Sequence, residues 1–346
     1  MLRLIKYLST IFSIVTIALS LSDIDQDQLD KRWEITTPLL LKIDVIHQFP
    51  QPTWIENLAV RSNSGGDILC TVLTASALYL IKPSTGEATL LHSFPVTAVL
   101  GITQLEHDIF YVSGGNFSTT TGANTPGSYI VFRVDIRGYD RHGVAGIQVT
   151  EVVNIAQSIL FNGMTRLSSL SKTLLVADSM KGYVWEIDAE TGAYTYISLP
   201  EMLPPSGQEN GVGINGVRTK NGYLYWTNTA SGTLHRVAID PIFGKVIGPV
   251  EELATGIVPD DFVIGDHGYI WICQNFLNTL SVLLPNGTVV DVAGSPDSLL
   301  VAGPTSCGFG WDDKLYCSTT GGLKSAVNGT KIGGEIFEID TKGFKL

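Results

Sequence analysis

Apolar and polar positions alternate along this chain in short runs, and turn residues interrupt them at close, regular intervals. The clearest stretch spans 213–240. Gly213-Ile214-Asn215-Gly216-Val217 opens a strand that ends at the turn Lys220-Asn221-Gly222. A second strand over 223–228 follows, then a turn at Ala230-Ser231-Gly232 and a third strand over 233–237. The same skeleton returns near Phe161, Asp261 and Thr305, opening with Asn162-Gly163-Met164, Asp261-Phe262-Val263 and Ser306-Cys307-Gly308.

Six such stretches divide the chain. The first reads as strands at 56–61, 67–73, 77–81 and 88–92, broken at 64–66, 75–76 and 84–86. The second holds 99–104, 109–113, 129–135 and 148–153, with Gly-rich loops at 114–127 and 138–146. The third holds 163–167, 173–177, 183–187 and 194–198. A Pro- and Gly-rich linker over 200–211 precedes the fourth, and the fifth runs over 261–292. The sixth has only 307–310, 314–318 and 335–339, while 39–49 is a strand without a repeat. The pattern predicts an all-β fold, a six-bladed β-propeller closed by an N-terminal strand that completes the last blade. One blade cannot bury both its faces, so neighbours stack into a ring. A β-sandwich also has many short strands, but not a period of roughly 45–55 residues with one missing and one spare strand.

Composition agrees. The chain has 346 residues, 36 of them Gly, with 44% hydrophobic and 16% charged, which suits a turn-rich β protein with a large core. The net charge of −11 disfavours nucleic-acid binding, which needs basic surface against phosphates. At the N-terminus Arg3 and Lys6 precede an apolar run over 7–21, with small residues at Ala18, Ser20 and Ser22. About 15 apolar residues fall short of the roughly 20 that span a bilayer. The expected organisation is a signal peptide over 1–20, a leader over 21–38 and a single propeller domain over 39–346. The protein is then secreted or held in the secretory-pathway lumen, without stable membrane insertion after cleavage; an uncleaved membrane anchor is the alternative. Sequons at Asn116, Asn286 and Asn328 fit that route as glycosylation positions. The four cysteines allow three pairings. Cys307 and Cys317 flank a hairpin turn at Asp312-Asp313 and face each other, while free buried thiols remain equally open.

In a propeller the inner strands begin at one mouth of the axial channel. There the repeats place Glu56, Asn162, Asn215 and the pair Asp260-Asp261, with Gly101 and Thr305 in the other two. Each alone is an ordinary turn residue. Converging, their oxygens suit a hard divalent cation such as calcium, which takes roughly six to eight oxygen ligands. Other catalytic signatures are missing: there is no Gly-x-Ser-x-Gly, His-Glu-x-x-His, phosphate loop or Cys-x-x-Cys, and no histidine falls at an inner-strand start. Asp108 and Asp312-Asp313 read as structural turn residues, and Trp185, Trp226, Trp271 and Trp311 as packing between blades.

The phrases Trp54-Ile55-Glu56-Asn57, Phe161-Asn162-Gly163-Met164, Ile214-Asn215-Gly216 and Pro259-Asp260-Asp261-Phe262 resemble the gluconolactonase/senescence-marker-protein/luciferin-regenerating-enzyme family over most of the chain after about residue 40. The resemblance implies a divalent cation on Glu56, Asn162, Asn215 and Asp260, with Asp260 also the base of lactone opening. The chain departs from it twice. The family's Pro-Asp-Gly is Pro259-Asp260-Asp261, and its Glu-Gly-Pro is Glu56-Asn57-Leu58; both add bulk beside the implied metal.

The wider phrasing, including Thr305-Ser306-Cys307-Gly308-Phe309-Gly310, resembles a secreted fungal branch that includes the hetero-Diels–Alderases of tropolone–sesquiterpenoid assembly. That resemblance implies a pericyclase joining a reactive quinone methide to a polyene terpene, with no cofactor required. Such catalysis needs oriented partners, excluded water and one polarising hydrogen bond. Loops facing the mouth offer Phe117, Met180 and Phe276 as walls, with Trp54, Asn57, Asn228, Phe262 and Thr305 as further substrate-binding candidates. Asp260, Asp261, Gln274 and Lys324 are the candidate catalytic groups. The alternatives are a divalent-metal-dependent lactone hydrolase and a non-catalytic ligand-binding propeller.

Overall fold

The structure is a computed structural model and describes residues 40–62, 65–208, 211–311, 313–342 and 344. The signal-peptide and leader readings, and the turn positions Ser64 and Asp312, lie outside the described residues. Among the described residues no helix is long and apolar enough to cross a membrane.

Six four-stranded antiparallel sheets form the blades. Blade one is β2 (Ile55–Val60), β3 (Ile68–Val72), β4 (Ala77–Lys82) and β5 (Glu87–Ser93). Blade two is β6 (Ala98–Glu106), β7 (Ile109–Gly115), β8 (Ile130–Asp135) and β9 (Gln148–Asn154). Blade three is β10 (Phe161–Arg166), β11 (Thr173–Asp178), β12 (Tyr183–Asp188) and β13 (Tyr194–Ser198). Blade four is β14 (Ile214–Lys220), β15 (Tyr223–Asn228), β16 (Thr233–Ile239) and β17 (Val246–Thr255). Blade five is β18 (Phe262–Ile264), β19 (Ile270–Gln274), β20 (Thr279–Leu283) and β21 (Val289–Gly294). Blade six is β22 (Pro304–Phe309), β23 (Lys314–Thr319) and β24 (Glu335–Asp340), completed by β1 (Ile43–Gln48). The spare N-terminal strand thus fills the gap left by the last repeat, with Val45 opposite Phe337 and Gln48 opposite Glu335.

Burial falls from the inner half of each blade to the rim. The second strands β3, β7 and β19 are buried throughout, while the outer strand β13 buries only Ile197. Inner strands touch around the ring in the order β2, β6, β10, β14, β18, β22 and back to β2. Trp226, Trp271 and Trp185 are buried in the blade cores, as their spacing suggested. Trp311 differs: it is 59% exposed, because it sits past the end of β22 at the hairpin turn, beside Gly66 of blade one rather than inside a blade core.

Cys307 and Cys317 are directly opposite on β22 and β23 and are disulfide-bonded, with Cα atoms 4.1 Å apart. Cys70 and Cys273 are free and buried, and burial pushes both thiols up, towards the inert neutral form.

Candidate active site at the axial mouth

Five of the inner strands begin with a β-bulge. Register slips between Ile55 and Asn57, Val99 and Ile102, Phe161 and Met164, Ile214 and Val217, and Pro304 and Ser306. A bulge frees a residue from the pairing pattern and re-aims its side chain. Glu56, Leu100, Asn162, Asn215 and Thr305 occupy these bulges. Hydroxyls on the second strands help hold them. Thr71 accepts from the Asn57 N–H at 3.1 Å, Ser113 from Gly101 at 3.0 Å and Thr227 from Gly216 at 2.9 Å.

Two successive positions in each bulge make two layers. The upper layer forms the floor of a pocket of about 130 Å³. Glu56, Asn162, Asn215, Asp260, Thr229 and Asn275 supply its polar side. Leu73, Leu100, Leu160, Val212 and Pro259 supply apolar walls, with Trp54, Phe117, Phe276 and Lys324 towards the rim. Asp260 accepts hydrogen bonds from the Asn215 and Asn275 amides, each at 2.9 Å. The Trp54 indole donates to Glu56 at 2.5 Å. Burial raises the Glu56 carboxyl well above its usual range, and the Asp260 charge adds to this. Burial likewise raises Asp260 to about 7; the neighbouring Asp261 charge adds to it, and the two amide hydrogen bonds oppose it. Two polar groups remain unspent. The Asn215 Oδ1 is buried with no partner among the described residues. Asn162 is 7% exposed and lines the pocket, and its amide is engaged by no hydrogen bond among the described residues.

The lower layer is a plug. Blades two, three and four carry Gly101, Gly163 and Gly216 there; blades one, five and six carry Asn57, Asp261 and Ser306. The Asn57 amide donates to Asp261 at 2.9 Å, Ser306 donates to Asn57 Oδ1 at 3.0 Å, and Arg218 reaches Asp261 at 2.7 Å. A Cβ at Gly216 would lie 2.2 Å from Asp261 Oδ1, so the glycine half makes room for the polar half. The two departures from the family pattern, Asn57 and Asp261, are therefore partners in one hydrogen-bonded unit. They add their bulk in the layer below Glu56 and Asp260, not within the pocket lining.

The other candidates separate cleanly. Trp54, Phe117, Phe276, Lys324, Glu56, Asn162, Asn215 and Asp260 line the pocket; Asn57, Met180, Asn228, Asp261, Phe262, Gln274 and Thr305 do not. Asn228 turns outward and ties the 200–211 linker through the Glu201 and Leu203 carbonyls, at 3.0 and 2.7 Å. Gln274 is fully buried within blade five, accepting from the Val258 N–H at 3.0 Å. Thr305 donates to the Ile55 carbonyl at 2.8 Å, clamping blade six to blade one. Phe262 is core, packed with Leu234 and Ile272. Met180 packs on the cluster that also receives Phe117. Asn275, Thr229 and Val212 were not anticipated; Asn275 lies one position beyond Gln274, where the chain leaves β19 and turns over the mouth. The sequon residues Asn116, Asn286 and Asn328 are all exposed.

The chain matches no known protein-family model. It is 25% identical over 310 residues to a protein named hetero-Diels–Alderase from a Phoma species, covering 81% of this chain and 86% of that one. A second protein so named, from Sarocladium schorii, is 25% identical over 344 residues, covering 87% and 84%. Among solved structures, a luciferin-regenerating enzyme superposes with a TM-score of 0.65 at 15% identity, covering 88% of this chain and 96% of that one. The calcium-binding protein regucalcin from Agrobacterium tumefaciens gives 0.60 at 15% identity over 88% and 95%. A gluconolactonase from Xanthomonas campestris gives 0.54 at 12% identity over 87% and 89%. These structural likenesses show the fold, a six-bladed β-propeller.

Proposed function

We propose that this chain is an enzyme of small-molecule chemistry that catalyses a hetero-Diels–Alder cycloaddition in the axial pocket, between an oxygen-bearing heterodiene such as a quinone methide and an alkene of a polyene terpene. The observation that carries this reading is an apolar-walled pocket whose floor presents the unengaged Asn162 amide. The two relatives named hetero-Diels–Alderase support it. The reaction forms one carbon–carbon and one carbon–oxygen bond from π electrons alone, with no leaving group and no redox partner. It needs no nucleophile. It needs the partners held in reactive contact, where orientation alone is worth several kcal/mol, and water excluded from the reactive heterodiene.

The chain's residues divide that work. Leu73, Leu100, Leu160 and Val212 form a dry wall for the ring of the heterodiene, and the pocket's volume suits one such ring. Trp54, Phe117 and Phe276 lie at the rim, where the longer terpene passes over the mouth. The Asn162 N–H donates to the heterodiene oxygen and draws electron density from it as the new bonds form. The test is direct: purified protein is added to a quinone methide generated in situ with a cyclic polyene terpene, and the adduct is resolved by chiral chromatography. Acceleration with a single enantiomer is expected; an unchanged rate with racemic adduct would overturn the reading.

A second reading, a divalent-metal-dependent lactone hydrolase, is favoured by the orphaned Asn215 Oδ1 beside two carboxylates. Glu56, Asn162, Asn215 and Asp260 present hard oxygen donors that fit a calcium-like cation. Such a cation would polarise a lactone carbonyl, while Asp260 would take the proton of the attacking water. Metal content of the protein after dialysis against calcium, compared with Glu56→Gln and Asp260→Asn, separates the readings. One cation lost in both variants favours hydrolysis, and none held in the parent protein removes it. The signal at 1–20, glycosylation at Asn116, Asn286 and Asn328 and a secretory location belong to the same proposal, tested by the N-terminal sequence and the glycosidase-sensitive mass of the exported protein.

A further inference from the structure

The pocket's rim holds one feature that the reaction above does not use. Among the described residues Lys324 is the only cation lining the pocket. It comes from the loop between β23 and β24 of blade six and reaches over blade one to blade two. Its Nζ lies 5.4 Å from the Trp54 ring centroid and donates to the Thr119 carbonyl at 3.1 Å. Among the described residues no carboxylate comes within ion-pair distance of it. Burial pulls its ammonium below the usual lysine range, the charge of Lys331 adds to this, and no acidic group offsets them. The side chain as a whole remains exposed at the rim. Lys331, seven positions on in the same loop, donates to the Leu323 carbonyl at 3.0 Å and also lacks a carboxylate partner among the described residues.

In a chain of net charge −11, an unpaired lysine end held against an indole needs a reason. An ammonium group has three donors, and here one goes to Thr119 and the ring face meets another. The remaining one has no acceptor among the described residues, and the side chain lines the pocket. A cation at a pocket rim with no counter-charge beside it attracts an incoming anion. The floor offers such an anion no cation, and whatever charge the Glu56 and Asp260 carboxyls carry opposes it. An anionic group therefore settles at the rim and leaves the rest of its ring against the apolar walls.

We infer that Lys324 is the receptor for a resonance-stabilised oxyanion carried by the substrate, an ionised phenol, vinylogous acid or carboxylate on a planar ring, which it holds beside Trp54. The inference rests on the reading of the pocket as a small-molecule reaction site and names the class of partner that site takes. It also orients that partner: the acidic oxygen points to blade six and the ring reaches in toward Asn162.

The experiment is equilibrium binding of para-nitrophenolate, benzoate and the neutral para-nitroanisole to the full chain, by calorimetry and by the visible absorbance of the nitrophenolate. The variants are Lys324→Met and Lys324→Arg, each checked for an unchanged melting temperature. Para-nitrophenolate is expected to bind the parent protein at least about tenfold more tightly than Lys324→Met, with Lys324→Arg largely restored and para-nitroanisole indifferent to all three. Benzoate behaving as the phenolate does assigns a general oxyanion site, and benzoate failing to bind narrows it to phenolate-type oxygens. Equal affinity of para-nitrophenolate for the parent and Lys324→Met overturns the inference, as does para-nitroanisole binding as tightly as the phenolate. No turnover is needed, so a blank cycloaddition assay with Lys324-dependent phenolate binding sinks only the pericyclase reading. Enantioselective turnover unaffected by Lys324→Met sinks only the oxyanion receptor.

Discussion

Strand β2 carries a charge at each end, and the two ends are treated in opposite ways. Just past its C-terminal end Arg61 is 1% exposed and fully paired, held by Asp108 at 2.7 Å and by Asp140 at 2.8 Å. At its start Glu56 is also buried, but the charge that acts on it most is another carboxylate, Asp260. The first cluster satisfies itself and welds blade one to blade two. The second leaves two acids raised by burial, an amide oxygen without a partner and a free amide. A satisfied buried cluster is costly to break; unsatisfied burial in a concave place is where a ligand finishes the structure. The same contrast repeats vertically at the axis, where the plug of Asn57, Asp261, Ser306 and Arg218 is closed upon itself and the layer above is not.

Breaking the satisfied end should cost most. Arg61→Met strands Asp108 in the interior, and the expected loss is about 3–5 kcal/mol in urea unfolding, with ligand binding at the mouth retained by the folded fraction. A loss below about 1 kcal/mol would remove the contrast.

Glu335 sharpens it from a third side. It is buried with Oε2 unpartnered, yet it does not line the axial pocket. Burial raises its carboxyl to about 7. The unfolded glutamate titrates near about 4.3, so the folded protein holds this proton more tightly. Its contribution to stability is therefore full below about pH 4 and lost as pH rises through about 7. Glu335→Gln is expected to reduce the fall in stability between pH 5 and pH 8 by about 1–3 kcal/mol. Denaturant titrations at the two pH values check it, and cycloaddition activity should not change.

Asn162→Leu keeps the volume and removes the free amide. On the proposed reaction, kcat should fall about tenfold, near the worth of one hydrogen bond, with KM for the terpene nearly unchanged. A change in KM alone would assign Asn162 to binding. The smallest effect is expected at the unsatisfied end itself: Glu56→Gln removes a carboxyl that burial and the Asp260 charge already disfavour in its ionised form. The unfolding free energy should stay or rise by roughly 1 kcal/mol or less at neutral pH, where a paired acid would have lost stability.

How much of this was legible follows from which interactions are local. Turn chemistry such as Lys220-Asn221-Gly222 and the short alternating runs betray the blades, because strand and turn preferences act over a few residues. The spare strand at 39–49 and the short sixth repeat predicted ring closure, and β1 pairs with β24 as that reading requires. Glu56, Asn162, Asn215 and Asp260 were findable because repeats align equivalent positions. Gln274, Asn228 and Thr305 were misplaced because one residue along a strand changes its face. Asn275, one step from Gln274, leaves the ladder and turns over the mouth. Phe262 looked like a wall residue and is core, since apolar composition alone does not say which side of a blade a ring occupies.

The sequence by itself determined the propeller, its number of blades, its closing strand and the ring of polar residues at the inner-strand starts, all of which follow from period and short-range preference. Tertiary structure alone decided that Asn57 and Asp261 are partners 204 positions apart, that Lys324 reaches from blade six to blade two, and that Asn215 keeps an oxygen without a partner. Those outcomes depend on which residues of different blades meet at the axis, and bulges set that meeting by re-aiming side chains that no local pattern marks.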